Sequence, residues 1–305
     1  MNDLIIIGGG PAGIAAGIYA SRKKIKTLLI TDYFGGQWIV ASDIQNFIGF
    51  KSISGFNLSK ALEEHLRLQS DIEIKDQTLA LKIEKKDNGF AVKTNKEEVF
   101  ETKTVLMALG THYRKLNVPG EDKFMGRGVF YCATCDAPLM KGKAVAIVGG
   151  GNSGFESAID LLPYASKIYL LEYANTFSAD LTTQEKAKNS GKIEAITMAA
   201  VQEVFGDEFV KGIKYQNRQS GEIKELAVEG IFISIGYQPS SEIVKGLVEL
   251  NKAGEIVVDC KTQRSSLEGI WAAGDISDAL YRQGNIAIGD AIKAVLNIHD
   301  YLKGK

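Results

Sequence analysis

Two stretches of the chain share one pattern of apolar residues and glycines. Residues 4–7 form a short apolar run that leads into a glycine cluster and then into helical apolar spacing. Residues 144–148 form a second such run with the same continuation. Each stretch predicts a strand, a tight turn and a helix. A further apolar run follows each of them, at residues 27–30 and 167–171.

Two strand–helix–strand units favour an α/β fold with two Rossmann-like dinucleotide-binding domains. Short alternating runs over residues 72–105 predict a small antiparallel β-meander in the first domain, and residues 201–232 predict another in the second. Residues 269–273 predict a late buried strand, and residues 287–302 have the apolar spacing of a helix.

Composition narrows the class of protein. The chain has 305 residues, of which 45% are apolar and 24% charged, which is enough for two ordinary cores. A net charge of -1 argues against a nucleic-acid surface or a polybasic membrane surface. The N-terminus has no basic region before its short apolar run, so a cytoplasmic location is predicted.

The glycine spacing G-x-G-x-x-G occurs in both units. The first glycine permits a tight turn, the second lets the backbone approach a pyrophosphate, and the third lets the helix pack on the strand. Packing turns also use glycine, but two such motifs in the same context favour dinucleotide binding. The motif residues are Gly8, Gly10 and Gly13 in the first unit, and Gly149, Gly151 and Gly154 in the second, with Asn152 and Ser153 inside it.

The acid that ends the second strand of such a unit selects the cofactor ribose. Glu172 lies at this position in the second unit, and no Lys or Arg occurs from residue 169 to residue 185. A carboxylate pairs with a free 2′-hydroxyl, so NADH is predicted over NADPH. The alternative is a surface glutamate at a strand end. In the first unit Thr31 holds the acidic position, and Asp32, which follows it, is the candidate ribose contact.

Cys132 and Cys135 have the spacing of a redox pair. Zinc would require four ligands, and the remaining cysteine and the scattered histidines do not supply them. Two buried small apolar residues are the other alternative. Asp136 follows the pair and is a candidate proton donor to a leaving thiol, with a solvated acid that has no such role as the alternative. We expect Cys260 to be a buried strand residue.

Six sequence blocks together resemble the low-molecular-weight thioredoxin reductases along essentially the whole chain. They occur in the family's order: residues 8–13, 35–37, 117–121, 132–136, 272–275 and 281–283. The resemblance implies an FAD domain formed by residues 1–115 and 245–305, and an inserted pyridine-nucleotide domain at residues 116–244. It also implies a homodimer that reduces a thioredoxin-like protein.

The resemblance further implies roles for individual residues. Cys135 would face the flavin, and Cys132 would attack the disulfide of the partner. Within the first glycine motif, Pro11 and Ala12 are also implied to contact FAD. Beyond the motif, the implied FAD contacts are Gly36, Gln37, Asn46, Gly110, Gly274, Asp275, Arg282 and Gln283.

This chain departs from the family at the residues that select the electron donor. NADPH-using members carry His-Arg-Arg where residues 172–174 are Glu-Tyr-Ala. The NADH-using flavoprotein module of alkyl hydroperoxide reductase has Leu-Leu-Glu-aromatic there, as this chain does, but it normally follows thioredoxin-like domains, which we do not expect here. Two alternatives therefore stay open: a ferredoxin-fed reductase with a non-functional nucleotide site, and a non-catalytic flavin-binding redox sensor.

Overall fold

A computed structural model describes residues 1–41 and 43–304. Within them the strands are β1 (Asn2–Gly9), β2 (Thr27–Phe34), β3 (Ile72–Lys75), β4 (Ala80–Lys86), β5 (Gly89–Thr94), β6 (Val99–Met107), β7 (Thr111–Tyr113), β8 (Val129–Phe130), β9 (Ala144–Val148), β10 (Lys167–Leu171), β11 (Ile193–Ile196), β12 (Ala199–Gly206), β13 (Val210–Asn217), β14 (Ile223–Ala227), β15 (Gly230–Ile233), β16 (Tyr237–Pro239) and β17 (Ile270–Ala272). The α-helices are α1 (Pro11–Arg22), α2 (Gly55–Arg67), α3 (Ala133–Asp136), α4 (Asn152–Leu161), α5 (Leu181–Asn189) and α6 (Gly284–Lys303).

The chain divides into two compact units. The first consists of Met1–His112 together with Gln238–Lys305, and the second of Tyr113–Tyr237. The α/β fold predicted from the sequence is confirmed, because a parallel sheet, a glycine turn and flanking helices recur in each unit. No helix in the described ranges is long and apolar enough to cross a membrane.

The sheet of the first unit has the strand order β3-β2-β1-β6-β5-β4, and β17 pairs with β6. The pairs of β1 with β2 and β6 are parallel, as is the pair of β2 with β3. The meander predicted over residues 72–105 is therefore only partly right. Its antiparallel part is β4, β5 and β6, whereas β3 is a parallel edge strand. Alternating polarity gives a strand its period but not the direction of its neighbour.

The two faces of β1 pack against different layers. Leu4 and Ile6 lie in one core with α1 and α6, while Ile5 and Ile7 lie in the core on the opposite face. Successive side chains of a strand point to opposite sides, so a run that is apolar throughout predicts burial on both faces. This burial fixes the end of β1, from which the first glycine turn emerges.

The second unit repeats this arrangement with a separate small sheet. Its parallel sheet has the order β11-β10-β9-β15-β8, and β12, β13 and β14 form an antiparallel three-stranded sheet. The prediction of a meander over residues 201–232 again needs correction at one end, because β15 joins the parallel sheet beside β9. Val145 and Ile147 of β9 pack against α4, and Ala146 and Val148 pack against the small sheet.

The late elements match their sequence patterns. The predicted buried strand is β17, and the predicted helix is α6. Cys260, in contrast, is not in a buried strand but exposed in a turn. The Asp259 carboxylate accepts hydrogen bonds from the backbone N–H groups of Lys261 and Thr262, both at 2.9 Å. This side-chain-to-backbone bonding stabilises a turn in place of a continuing strand.

Candidate active site

The first glycine turn leaves no room for side chains at two of its three motif positions. Gly8 has φ +121°, and a Cβ there would lie 2.2 Å from the carbonyl oxygen of Ala108. A Cβ on Gly13 would lie 1.8 Å from the carbonyl oxygen of Gly8. At Gly10 the nearest atom would be Gly36 Cα at 3.8 Å, so the middle position is open. The turn thus presents bare backbone at the position where a pyrophosphate approaches.

The N-terminus of α1 is open to an anion. Gly10 is the N-cap of the helix, and no side chain caps it. Pro11 occupies the first helical position, where its missing N–H costs nothing, and Ala12 is buried. The unpaired N–H groups and the helix dipole together favour a negative group at this point. The residues present therefore fit the pyrophosphate of a dinucleotide.

Polar side chains from distant parts of the first unit are held together by hydrogen bonds. Gln37 Nε2 donates to the backbone oxygen of Thr111 at 2.6 Å and to its Oγ1 at 2.7 Å. Asn46 Nδ2 donates to Gln283 Oε1 at 3.1 Å, and Asn285 Nδ2 donates to the backbone oxygen of Asn46 at 2.9 Å. Asn46 and Gln283, both predicted to contact the cofactor, are thus held side by side.

Gly36 and Gly110 provide left-handed backbone in the same unit. Gly36 has φ +63°, and a Cβ there would lie 3.3 Å from Gly10 Cα. Gly110 has φ +65°, and its carbonyl oxygen accepts a hydrogen bond from the N–H of Ser240 at 3.1 Å. Both conformations are ones that residues with a Cβ rarely adopt.

Acidic residues lie within and beside the segment between β17 and α6: Asp275 in the segment is half-buried, and Asp290 in α6 is buried. Asp275 follows Gly274, which has φ +74°. Burial, and then the charge of Asp290, raise the pKa of Asp275 to about 6. Arg282 forms an ion pair with the buried Glu255. The sequence analysis did not predict Glu255, which holds the predicted cofactor residue Arg282 in place.

The candidate ribose contact of the first unit, Asp32, lies on β2 next to Thr31. Thr31 is buried, and its Oγ1 donates to the backbone oxygen of Tyr33 at 2.7 Å. A Cβ on Gly9 would lie 2.5 Å from this Oγ1, so Thr31 packs against the glycine turn. The side chain of Asp32 is exposed on the same strand, and its role as a ribose contact stays a prediction.

The second glycine turn reproduces the geometry of the first. Gly149 has φ +123°, and a Cβ there would lie 2.3 Å from the carbonyl oxygen of Ser234. A Cβ on Gly154 would lie 1.8 Å from the carbonyl oxygen of Gly149, the same distance as in the first turn. Gly151 is the N-cap of α4, again without a side-chain cap. This turn therefore fits a second pyrophosphate.

Asn152 and Ser153 open the first turn of α4 and are both exposed. Asn152 Oδ1 accepts a hydrogen bond from the backbone N–H of Asp180 at 2.8 Å, which ties the start of α4 to the start of α5. The role of Ser153 as a nucleotide contact stays a prediction.

Glu172 lies directly after β10 and faces the second glycine turn. Its Oε2 accepts a hydrogen bond from the N–H of Gly150 at 2.6 Å, and its Oε1 accepts one from the N–H of Ala174 at 2.8 Å. The carboxylate is thereby fixed in orientation, which argues against the alternative of a freely solvated surface glutamate. Each carboxylate oxygen keeps further acceptor capacity for a ligand hydroxyl.

Arg218, a basic residue that the sequence analysis did not predict, lies beside Tyr173, the residue after Glu172. The guanidinium carbon of Arg218 lies 3.9 Å from the centroid of the Tyr173 ring, and Arg218 Nη1 donates to the backbone oxygen of Tyr173 at 2.9 Å. No Lys or Arg occurs in residues 169–185, but the fold brings Arg218 from another part of the sequence next to Tyr173. A contact across 45 positions leaves no signal in local spacing.

Cys132 and Cys135 form a closed disulfide, with their Cα atoms 5.3 Å apart. Cys132 is the N-cap of α3, and the N–H of Asp136 donates to its backbone oxygen at 3.1 Å. Both cysteines are half-buried. This helical turn places the two thiols within bonding distance and leaves the pair partly accessible, as thiol–disulfide exchange requires.

Asp136 is buried next to the disulfide. Its burial raises its pKa to about 7, because the low-dielectric surroundings penalise the charged form. A carboxyl group with this pKa exchanges its proton close to neutral pH, which suits a general acid.

A buried acid that the sequence analysis did not single out anchors the strand before the disulfide. Glu121 accepts hydrogen bonds from the N–H groups of Leu116 at 3.0 Å and Asn117 at 2.7 Å, and from the hydroxyl of Tyr131 at 2.8 Å. Burial and this hydrogen bond raise the pKa of Tyr131. Glu121 thus fixes the residue that immediately precedes Cys132.

A glycine turn in each unit and a disulfide of Cys-x-x-Cys spacing together define a dinucleotide-dependent disulfide oxidoreductase. The chain belongs to the pyridine nucleotide-disulphide oxidoreductase family, whose model matches residues 2–291.

Solved structures of thioredoxin reductases share the whole fold. The enzyme from Streptococcus pyogenes is 34% identical, with a TM-score of 0.94 over 100% of this chain and 99% of that chain. The enzyme from Giardia duodenalis is 32% identical, with a TM-score of 0.92 over 99% of each chain. The chain is therefore a thioredoxin reductase-like flavoprotein oxidoreductase, as the sequence blocks predicted.

Curated relatives are more similar in sequence but longer. A Bacillus subtilis protein named NADH dehydrogenase is 41% identical over 300 residues, and a component of the Pseudomonas putida alkyl hydroperoxide reductase is 43% identical over 303 residues. Each match covers 98% of this chain and 58% of the relative. The chain thus spans less than two thirds of the length of these relatives.

Proposed function

We propose that the chain is a thioredoxin-disulfide reductase that passes electrons from NADH through FAD and the Cys132–Cys135 pair to a thioredoxin-like protein. The observation that carries the proposal is the closed disulfide beside the buried Asp136, in the same compact unit as an uncapped glycine turn. Redox pairs need an electron source, and a dinucleotide site supplies one.

The first unit is the proposed FAD site. The uncapped N-terminus of α1 and the open Gly10 fit the pyrophosphate, and the other predicted contacts include Gln37, Asn46, Asp275 and Gln283. When bound, FAD supplies two-electron transfer between a nicotinamide and a dithiol.

The second unit is the proposed NADH site. Its glycine turn is uncapped, and the carboxylate of Glu172 is fixed beside it by Gly150 and Ala174. A carboxylate favours a free ribose 2′-hydroxyl over a 2′-phosphate. The name of the Bacillus subtilis relative also supports NADH as the donor.

The dithiol passes its electrons on by thiol–disulfide exchange. The Cys132 thiolate attacks the disulfide of the partner, so that a Cys132–partner bond forms and the partner's own bond breaks. The Cys135 thiolate then attacks the Cys132 sulfur, which re-forms the disulfide and releases the partner as a dithiol. Asp136, whose pKa is raised to about 7, exchanges its proton close to neutral pH and gives it to the first leaving thiolate. The second leaving thiolate takes the proton that the Cys135 thiol releases when it ionises, so two electrons and two protons end on the partner.

An anaerobic titration tests the donor. The oxidised protein is titrated separately with NADH, NADPH and reduced ferredoxin while flavin absorbance is recorded, and thioredoxin is then added to measure turnover. We expect bleaching by NADH and continued NADH oxidation with thioredoxin. Bleaching by ferredoxin alone would support the ferredoxin-fed alternative. Bleaching without turnover of any thioredoxin would support the redox-sensor alternative.

A second candidate partner follows from the higher identity to the alkyl hydroperoxide reductase component. Its 43% identity exceeds the 34% identity to the thioredoxin reductase of Streptococcus pyogenes. On this proposal the Cys132–Cys135 pair would reduce a thioredoxin-like protein that serves hydroperoxide reduction. Turnover with such a protein and a hydroperoxide, but not with thioredoxin, would favour it. The homodimer implied by the resemblance stays a prediction.

A further inference from the structure

The turn after β13 is fixed against the segment that carries the ribose-selecting acid. The backbone N–H of Arg218 donates to Met198 O at 2.7 Å, and the N–H of Met198 donates to Ala174 O at 2.9 Å. The N–H of Ala199 in turn donates to Glu172 O at 2.9 Å. Backbone hydrogen bonds therefore link Arg218 to both ends of the 172–174 segment, and its place beside that segment does not depend on its side chain alone.

The guanidinium of Arg218 lies close enough to the Tyr173 ring to be oriented by it. The distance from Cζ to the ring centroid is 3.9 Å, which is within the range of a cation–π contact. The hydrogen bond from Nη1 to Tyr173 O holds the same group from the side. A guanidinium that is already ordered loses less entropy when it binds a ligand.

The charge of Arg218 is available to a ligand. Its side chain is exposed, and its contacts in the described ranges are to a carbonyl oxygen and an aromatic ring rather than to a carboxylate. Several N–H donors of a guanidinium remain after one hydrogen bond. Planar donors of this kind match the oxygens of a phosphate.

We propose that Arg218 is a specificity-determining residue of the nucleotide site, which attracts a phosphate on the adenosine ribose and so narrows the preference for NADH over NADPH. This inference rests on the proposed function, in which the second glycine turn binds a pyridine nucleotide. Glu172 selects against the 2′-phosphate and Arg218, stacked on the next residue, selects for it. The site then carries opposing charges at one end of the nucleotide, and the wild-type protein accepts both nucleotides with a modest bias.

Equilibrium binding of two redox-inactive probes tests the inference. ADP-ribose and 2′-phospho-ADP-ribose are titrated into the oxidised flavoprotein by calorimetry, for the wild type and for Arg218→Gln. Glutamine keeps a donor for Tyr173 O but removes the charge. We expect the affinity for 2′-phospho-ADP-ribose to fall roughly tenfold while that for ADP-ribose changes little, since a charge-assisted hydrogen bond contributes about this much.

Two control variants separate the charge from its position. Lys211→Gln removes the same charge from the opposite end of β13, where the side chain pairs with Asp207, and it should leave both affinities unchanged. Arg218→Lys keeps the charge without the planar group and should give an intermediate ratio.

Each other outcome overturns the inference. An unchanged ratio of the two affinities in Arg218→Gln would leave Arg218 without a role in specificity. An equal loss of affinity for both probes would mean that Arg218 only supports Tyr173 and does not select between the two nucleotides. If the wild type binds neither probe, the proposed nucleotide site and this inference both fall, whereas binding of ADP-ribose with an unchanged ratio removes the inference alone.

Discussion

Glu172 accepts a hydrogen bond from the N–H of Gly150, the residue between the first two glycines of the second turn, with 2.6 Å between Oε2 and N. A Cβ on Gly150 would lie 2.6 Å from that same oxygen, so the contact requires glycine. This hydrogen bond joins the end of β10 to the turn that would hold a pyrophosphate, and the N–H of Gly149 adds a second one, to Leu171 O at 2.9 Å. Ribose selection and phosphate binding share a single rigid arrangement.

Replacing Glu172 by glutamine should weaken discrimination against NADPH about tenfold, because a 2′-phosphate would no longer meet a like charge. The measurement is kcat/KM for NADH and NADPH on the wild type and the variant. Glu229→Gln removes the same charge from an exposed position before β15 and is the matched control. A ratio that does not move in Glu172→Gln would contradict the role given to this acid.

Cys132→Ser and Cys135→Ser should each reduce turnover with thioredoxin to background while leaving flavin reduction by the donor intact. Electrons reach the dithiol after the flavin, and exchange with the partner needs both sulfurs. Stopped-flow flavin absorbance and steady-state thioredoxin reduction measure the two steps separately. Cys260→Ser, at an exposed free cysteine, is the control and should retain full turnover. Turnover that survives in either of the first two variants would remove the pair from the mechanism.

The pH dependence of stability should report on Asp136. Its pKa is raised from an ordinary 3.8 to about 7, so the folded state holds this proton more tightly than the unfolded state. The contribution to the free energy of unfolding is therefore full below about pH 4 and is lost as pH rises towards 7. The loss is on the order of a few kcal/mol.

The test is chemical unfolding of the wild type and Asp136→Asn from about pH 4 to about pH 8, which spans the two pKa values. We expect the stability of the variant relative to the wild type to increase across this range, because asparagine cannot ionise. The pKa of Asp275 is also raised, to about 6, so only the difference between the two proteins isolates Asp136. A difference that stays constant with pH would mean that Asp136 is not a buried titrating group.

Substituting the third glycine of one turn should abolish binding at that nucleotide site and leave the other site intact. Gly13→Ala and Gly154→Ala each place a Cβ 1.8 Å from a carbonyl oxygen, so the helix must move away from its strand. We expect Gly13→Ala to lose FAD and Gly154→Ala to retain FAD but lose NADH binding. Flavin absorbance per chain and calorimetric titration with NADH measure these effects.

Gly304→Ala, at the far end of α6, is the control for these two variants, because a Cβ there would lie 3.7 Å from the carbonyl oxygen of Asp300, an ordinary contact, and it should retain both ligands. Loss of FAD from Gly154→Ala but not from Gly13→Ala would reverse the assignment of the two units.

The sequence by itself determined the elements whose cause is local. Apolar runs at β1 and β9 predict buried strands, because every residue of a strand covered on both faces must be apolar. The two glycine motifs and the cysteine spacing act within a few residues, where backbone geometry decides the outcome. The strand–turn–helix units and the paired Cys132 and Cys135 were therefore predictable from residue order alone.

Only the tertiary structure decided which distant residues meet. β3 has the alternating polarity of a meander strand, yet it pairs in parallel within a main sheet, since period alone does not choose a neighbour. β15 is buried at every position, as a strand covered on both faces is, and it also pairs in parallel, beside β9. Glu255 reaches Arg282 across 27 positions, and Arg218 reaches Tyr173 across 45. A guanidinium can satisfy its charge and donors with many partners, so its identity carries no record of which one the fold brings to it.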